Sequence, residues 1–316
     1  MTRVAVTSRS FSRHPVLRHE LLARYPDAVF NDSGLVLAGD ALVRFLDGHV
    51  KAITGLEKLD ASVFAALPKL KIVSKYGVGF DMIDLAAMAK AGVRLGWTGG
   101  TNKRSVAELV IALAIQLLRH IPEASRAVQA GSWPLFSGRQ LSDRVVGVIG
   151  CGHVGKDVSL LLRSFGCQVL THDIRNFPDF YKRHGIEPAG LEKLLRESDV
   201  ITLHLPLDAS TRNILSAERL SLMKPEAILI NAARGGLVDE QALKVMLKEG
   251  RLAGAAFDVF AEEPPVDLEL ARLPNFIATP HIGGAAEEAA LAMGRAAING
   301  LEDNQIPEPG VYPEGY

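Results

Sequence analysis

The chain's 316 residues, 48% hydrophobic and 22% charged, describe a soluble globular protein long enough to bury two cores, so two domains are expected. Its 35 basic and 36 acidic side chains leave a formal net charge of -1, too little to attract nucleic acid or an anionic membrane surface. The expected partner is a small or locally recognised ligand.

The N-terminus, "MTRVAVTSRS", enters a β-like run directly, without the basic and apolar regions of a secretion signal. No apolar stretch nears the roughly 20 residues of a membrane span, so a cytoplasmic location is expected. Short apolar runs then alternate with helical patterns through "RVAVTS", "HPVLRHELLARY", "ALVRFL", "VKAITGL" and "LKIVSKYG". Such alternation implies a parallel sheet covered by helices on both faces. The segment "SVAELVIALAIQLLRHIPEASRAVQAG" is the longest helical pattern, apolar around much of its circumference at first, and is expected to be a buried connecting helix.

After the loop "SWPLFSGRQLSD" the alternation restarts with "RVVGVIG", "CQVLTHD", "DVITLHLP", "AILINAA", "LAGAAFDVF" and "NFIATP". Six strand-like runs predict a second complete, doubly wound domain. The helix "AAEEAALAMGRAAINGLED" follows and leads into a Pro/Gly-rich tail, "IPEPGVYPEGY", expected to be irregular. The two cysteines, Cys151 and Cys167, have neither a CxxC spacing nor partners for a cluster, so no disulfide framework and no metal site is expected.

The strand "RVVGVIG" runs into Gly150, Gly152, His153, Val154 and Gly155, a GxGxxG turn that opens the helical "KDVSLLLRSFG". Glycines there permit a tight turn and a close backbone approach to a pyrophosphate, and the helix N-terminus favours its charge. Asp173 ends the next strand 18 residues beyond Gly155, near the spacing of the acid that binds ribose hydroxyls. Its carboxylate would repel a 2′-phosphate, so NAD is expected over NADP, although Arg175 stands two residues on.

Three later strand ends carry unusual groups. "AILINAARGG" delivers Arg234, "AAFDVFAEEP" delivers Asp258 and Glu263, and "FIATPHIGG" delivers His281. An arginine fork binds a carboxylate through two parallel hydrogen bonds. A histidine can give a proton to a carbonyl oxygen as hydride reaches the carbon, with a carboxylate orienting the ring. Each has a plainer reading: Arg234 as a surface turn residue, Glu263 as a solvated acid, Asp258 as a turn cap, His281 as a strand-capping histidine. Their placement at successive strand ends favours one site, suited to reducing a 2-keto acid.

These residues carry a resemblance to the D-isomer-specific 2-hydroxyacid dehydrogenases, especially the 3-phosphoglycerate dehydrogenase-like members. It runs through "SKYGVGFDMID", "SVAELVIALAIQLLR", "GVIGCGHVG", "LHLPLDASTRNIL", "LINAARGGLVDEQAL", "FDVFAEEP" and "TPHIGG", in the family's order. The resemblance implies two Rossmann-like α/β domains, each a doubly wound parallel sheet, the first discontinuous and flavodoxin-like. A substrate domain is expected over residues 1–101 plus 284–316, an NAD-binding domain over 102–283, and homodimerisation through the latter.

The resemblance also implies roles. Arg234 would bind the substrate carboxylate, His281 would be the acid/base and Glu263 its partner. Asp258 would contact the nicotinamide side of the cofactor. Further cofactor contacts are implied at His153, Val154, His204, Leu205, Pro206, Ala232, Ala233 and Gly283. The loop of Lys75, Gly77, Val78 and Gly79 would hold substrate with Arg234 and His281. Lys75 stands where phosphoglycerate enzymes often carry arginine, and a lysine offers a point charge in place of the fork. Met82 and the "GGAA" after His281 also depart from the usual pattern. The alternatives are a glyoxylate/hydroxypyruvate or other 2-keto acid reductase and, from another class, an NAD-sensing regulatory protein of the same fold.

Overall fold

The structure, a computed structural model, describes residues 3–308. Residues 309–316, most of the tail expected to be irregular, lie outside the described residues. The chain divides into two compact units: one runs to Asn102 and resumes at Ala286, the other is Lys103–Ala285.

In the first unit, β1 (Val4–Val6) leads through α1 (Arg9–Arg13) and α2 (Pro15–Arg24) to β2 (Val29–Phe30). Helix α3 (Gly39–Leu46) leads to β3 (Lys51–Thr54), α4 (Ala61–Ala66) to β4 (Ile72–Lys75), and α5 (Leu85–Lys90) to β5 (Arg94–Gly96). Helix starts follow local chemistry: Ser8, Asp60 and Asp84 accept from backbone amides that the first turns of α1, α4 and α5 leave unpaired. The strands form a parallel sheet in the order β2-β1-β3-β4-β5. Alternation sorts its two faces. Ala5, Ala52 and Val73 join Leu42, Leu46, Phe64 and Met88, while Val4, Val6 and Ile53 join Phe11, Leu17 and Leu21. The winding direction reverses between β1 and β3.

The second unit opens with α6 (Lys103–Leu118) and α7 (Ile121–Gln129). The apolar pattern predicts one helix here, and the structure has two, bent by 63°. Pro122 lies in the first turn of α7 and has no N–H for the Leu118 carbonyl, which accepts from the Arg139 amide instead at 2.8 Å. His120, at φ 53, makes the turn. Among the described residues no single helix is long and apolar enough to cross a membrane.

Alternation then runs through β6 (Val145–Ile149), α8 (His153–Ser164), β7 (Gln168–His172), α9 (Pro178–His184), β8 (Glu187–Pro188) and α10 (Leu191–Glu197). It continues with β9 (Val200–Leu203), α11 (Ala217–Leu220), β10 (Ile228–Asn231), α12 (Glu240–Lys248), β11 (Gly254–Phe257) and β12 (Phe276–Ala278). The sheet is parallel, in the order β12-β11-β10-β9-β6-β7-β8, one strand more than the six runs suggested. The addition, β8, has two residues, too few to carry an alternation. Strands β9, β10 and β11 are buried throughout, as expected where helices cover both faces. Winding reverses between β6 and β9.

The last helix, α13 (Glu287–Gly300), belongs to the first unit, where Ala297, Ile298 and Leu301 pack with Val4, Val6 and Phe11. Ser74 Oγ donates to the Ala297 carbonyl at 2.6 Å, and Lys51 Nζ lies 2.6 Å from Glu302.

Candidate active site

Ligands of open parallel sheets bind beyond the carboxyl ends of the strands, at the reversal of winding. In the second unit that point lies between β6 and β9, and the loops leaving these strands carry the glycine turn and the His204-Leu205-Pro206 segment. They meet closely. A Cβ on Gly150, at φ +99, would lie 2.3 Å from the His204 carbonyl oxygen, and one on Gly155 would lie 1.8 Å from the Gly150 carbonyl oxygen. A Cβ on Gly152 would meet nothing within 4 Å, so the turn is tight underneath and open above. Helix α8 begins at His153 with no side-chain cap and no acid in its first turn. Amides of an uncapped helix start beside an open glycine turn suit a pyrophosphate, so the residues present fit a dinucleotide.

Asp173, just past β7, accepts from the Cys151 amide at 2.6 Å and the Arg175 amide at 2.7 Å. Its carboxylate is thereby fixed against the glycine turn. The Arg175 guanidinium lies 3.9 Å from it and is also drawn over the Phe177 ring, which Lys156 covers at 3.7 Å. Burial pushes the Cys151 thiol up. His204 is partly buried, and its loss of hydration pushes the imidazole down to about 3. It is therefore neutral at physiological pH, with Nε2 2.9 Å from Thr202 Oγ1.

Strands β10, β11 and β12 are neighbours, so their carboxyl ends share one edge. Ala232, Ala233 and Arg234 leave β10. Asn231 Nδ2 donates to the Arg234 carbonyl at 2.9 Å, and the Arg234 guanidinium donates to the Ala233 carbonyl at 2.7 Å. Gly235 is required next, because a Cβ there would lie 1.8 Å from the Phe260 carbonyl oxygen. Past β11, Glu263 accepts from the Phe260 amide at 3.1 Å with one oxygen. Its other oxygen lies 2.8 Å from His281 Nδ1. The structure thus brings Glu263 and His281 together across 18 residues of chain.

Asp258 has 1% of its surface exposed. One carboxylate oxygen accepts from Thr279 Oγ1 at 2.6 Å and the Ile282 amide at 2.8 Å, the other from the Gly283 amide at 2.7 Å. The Asp258 carbonyl accepts from the His281 amide at 2.9 Å. This single residue therefore ties down the loop on which His281 sits at φ 55, a left-handed conformation that costs a non-glycine residue on the order of 1 kcal/mol. Where the resemblance implied a cofactor contact, both Asp258 oxygens are engaged by the histidine loop.

Two polar residues escaped the sequence reading. Thr279 ends the apolar run before His281 with nothing local to mark its bond to Asp258. Glu240, in the first turn of α12, accepts from the Ala261 amide at 2.8 Å. Burial pushes its carboxyl up, and the neighbouring Glu263 charge adds to the shift against the Ala261 bond.

In the first unit, the Lys75 ammonium is buried and donates to the carbonyls of Gly55 at 2.7 Å and Tyr76 at 3.0 Å. The half-buried Gly77, Val78 and Gly79 follow, with Gly77 at φ +121 and the Val78 carbonyl accepting from Trp97 Nε1 at 2.9 Å.

Residues 111–283 match the family described as D-isomer specific 2-hydroxyacid dehydrogenase, NAD binding domain. The glyoxylate reductase of Thermococcus litoralis is 37% identical over 268 residues, covering 82% of this chain and 80% of that protein. The D-3-phosphoglycerate dehydrogenase of Methanocaldococcus jannaschii is 38% identical over 286 residues, covering 87% of this chain and 55% of that protein. Among solved structures, D-lactate dehydrogenase from Aquifex aeolicus, complexed with NAD and lactic acid, superposes with a TM-score of 0.80 at 27% identity, covering 94% of this chain and 93% of that one. With the glycine turn at one reversal of winding and the glutamate-histidine pair on the same strand edge, the chain belongs to the D-isomer-specific 2-hydroxyacid dehydrogenases, the NAD-dependent oxidoreductases of 2-hydroxy acids.

Proposed function

We propose that this chain interconverts a small D-2-hydroxy acid and its 2-keto acid, with Arg234 binding the substrate carboxylate and His281 moving the proton. The carrying observation is the 2.8 Å contact between His281 Nδ1 and Glu263, made on a loop that Asp258 fixes. When bound, NADH supplies the hydride that reduces C2. Glu263 keeps a proton on Nδ1 and stabilises the charged ring, so that Nε2 is the atom left for the substrate. In the reducing direction Nε2 gives its proton to the carbonyl oxygen, and in the oxidising direction it takes one from the hydroxyl. The Arg234 fork orients the carboxylate. Asp173 favours NAD, because a 2′-phosphate would face its carboxylate.

Reduction of glyoxylate or hydroxypyruvate is favoured over oxidation of phosphoglycerate. Lys75, the cation at the first unit's loop, already donates to two carbonyls and so is a poor phosphate receptor. The test is a panel of glyoxylate, hydroxypyruvate, pyruvate and phosphohydroxypyruvate, each with NADH and NADPH. Turnover of an unphosphorylated keto acid is expected, with kcat/KM at least about tenfold higher for NADH, the equivalent of ~1.4 kcal/mol. NADH binding without turnover of any keto acid would instead identify a sensor.

The protein is further proposed to be a cytoplasmic homodimer. The two free, buried thiols suit a reducing compartment. Helix α7 buries no residue, and the loop after it exposes Trp133 at 90% and Leu135 at 95%, an apolar surface suited to a second copy. Sedimentation should give twice the monomer mass, and Trp133→Ser with Leu135→Ser should shift it toward monomer. A monomeric parent at micromolar concentration would sink the dimer.

A further inference from the structure

Within the second unit, the loop that carries His281 is held from a second side. Asp258 meets it from the end of β11, and the first turn of α6 meets it across 178 residues of chain, where Ser105 Oγ donates to the Gly283 carbonyl at 2.6 Å. Gly283 is buried, two residues beyond His281, and both of its peptide groups are thereby fixed. The Asp258 carboxylate accepts from its amide at 2.7 Å, and Ser105 holds its carbonyl. A glycine otherwise has the widest choice of backbone angles, so the two bonds remove freedom where the loop would most easily swing. A side chain is excluded there as well, since a Cβ would lie 3.0 Å from Asp258 Oδ2 and 3.4 Å from Val106 Cγ2, on the same turn of α6. The helix is a firm reference. Ala107, Val110 and Ala114 pack with Val148, Ile230 and Ala256 of the sheet, and Arg104 Nη2 lies 2.9 Å from the buried Asp157 carboxylate on α8.

Resting on the reading of His281 as the group that moves the proton, we propose that Ser105 is a positioning residue for that histidine. Its hydroxyl sets the place of the Gly283 carbonyl against α6, and through the two peptide links back to His281 it keeps the residue at φ 55 with Nδ1 on Glu263. Without that hydroxyl, Asp258 still pins the near side of the loop while the far side rotates about Gly283, and Nε2 no longer returns to a single place. Proton transfer depends steeply on distance and angle, so the loss falls on kcat and spares cofactor binding.

The experiment measures kcat on a keto acid that the parent turns over, and NADH affinity by fluorescence quenching, in Ser105→Ala, Ser105→Thr and Ser105→Val. It then repeats Ser105→Ala in the His281→Ala background. Ser105→Ala should lower kcat about tenfold or more, with NADH affinity within about threefold of the parent. Threonine and valine match in shape and differ in the hydroxyl, so threonine should stay within about threefold of the parent while valine loses as much as alanine. That comparison stands even where the alanine protein fails to fold. In a protein already without the imidazole, Ser105→Ala should change the residual kcat by less than about twofold, because a residue acting through His281 has nothing left to place. A Ser105→Ala or Ser105→Val protein with the parent's kcat, or an equal loss with and without the imidazole, overturns the role of Ser105 and leaves the keto acid reading intact. A parent that turns over no keto acid, or a His281→Ala protein as active as the parent, overturns that reading and the role of Ser105 with it.

Discussion

His281→Ala should lower kcat for keto acid reduction by about a thousandfold, within the usual range for loss of a positioned general acid. The loop should survive the change. The His281 amide is held by the Asp258 carbonyl, and the neighbouring amides of Ile282 and Gly283 by the Asp258 carboxylate, none of which involves the imidazole. With half of its side chain exposed, His281 contributes little packing, so the thermal midpoint should move by only a few degrees. NADH affinity, read by quenching of protein fluorescence, should stay within about threefold of the parent, a shift below ~0.7 kcal/mol. A variant that retains the parent's kcat on a substrate the parent turns over would remove His281 from the chemistry. Glu263→Gln should fall between the two, because the amide can still meet Nδ1 but cannot stabilise the charged ring.

The second large effect is expected at Asp258, through the loop it holds. Asp258→Ala strands a hydroxyl and two backbone amides that now end on the carboxylate, and each unmet buried donor costs roughly 1–3 kcal/mol. The thermal midpoint should fall by several degrees and kcat by about a hundredfold, as the histidine leaves a conformation that only its surroundings maintain. Asp258→Asn, with one acceptor in place of two, should be milder in both respects. The decisive comparison is with cofactor affinity. A loop anchor predicts a loss in kcat with NADH binding within about threefold of the parent. A tenfold weaker NADH affinity with kcat preserved would instead make Asp258 the cofactor contact that the family resemblance implied.

Both variants show how far the sequence could be read. Arg234, Asp258, Glu263 and His281 stood out because each is a polar group delivered by an apolar run, and parallel strands bring such run ends to one edge. The glycine turn was legible for a related reason, since few other functions set a GxGxxG run where a strand passes into a helix. What the sequence withheld were partners. Glu240 meets the Ala261 amide across 21 residues, and Thr279 meets Asp258 across the same separation, with no local pattern marking either. The role of Asp258 was hidden likewise, because two of its three donors are main-chain amides, which any residue supplies. In the fold, β2 and β8 were too short to show a period. The break between α6 and α7 was visible as Pro122, but the apolar periodicity running through it concealed the consequence.

The order of the chain has an outcome for its own synthesis. Residues Lys103–Ala285 form one uninterrupted stretch, so the second unit can close as soon as that stretch has left the ribosome. The first unit emerges earlier and finishes later. Its sheet face of Val4, Val6 and Ile53 is completed by Ala297, Ile298 and Leu301, and the carbonyls that Ser74 and Lys51 grip belong to Ala297 and Leu301. Until α13 has been translated, the earlier segment of the first unit must wait with an apolar face uncovered.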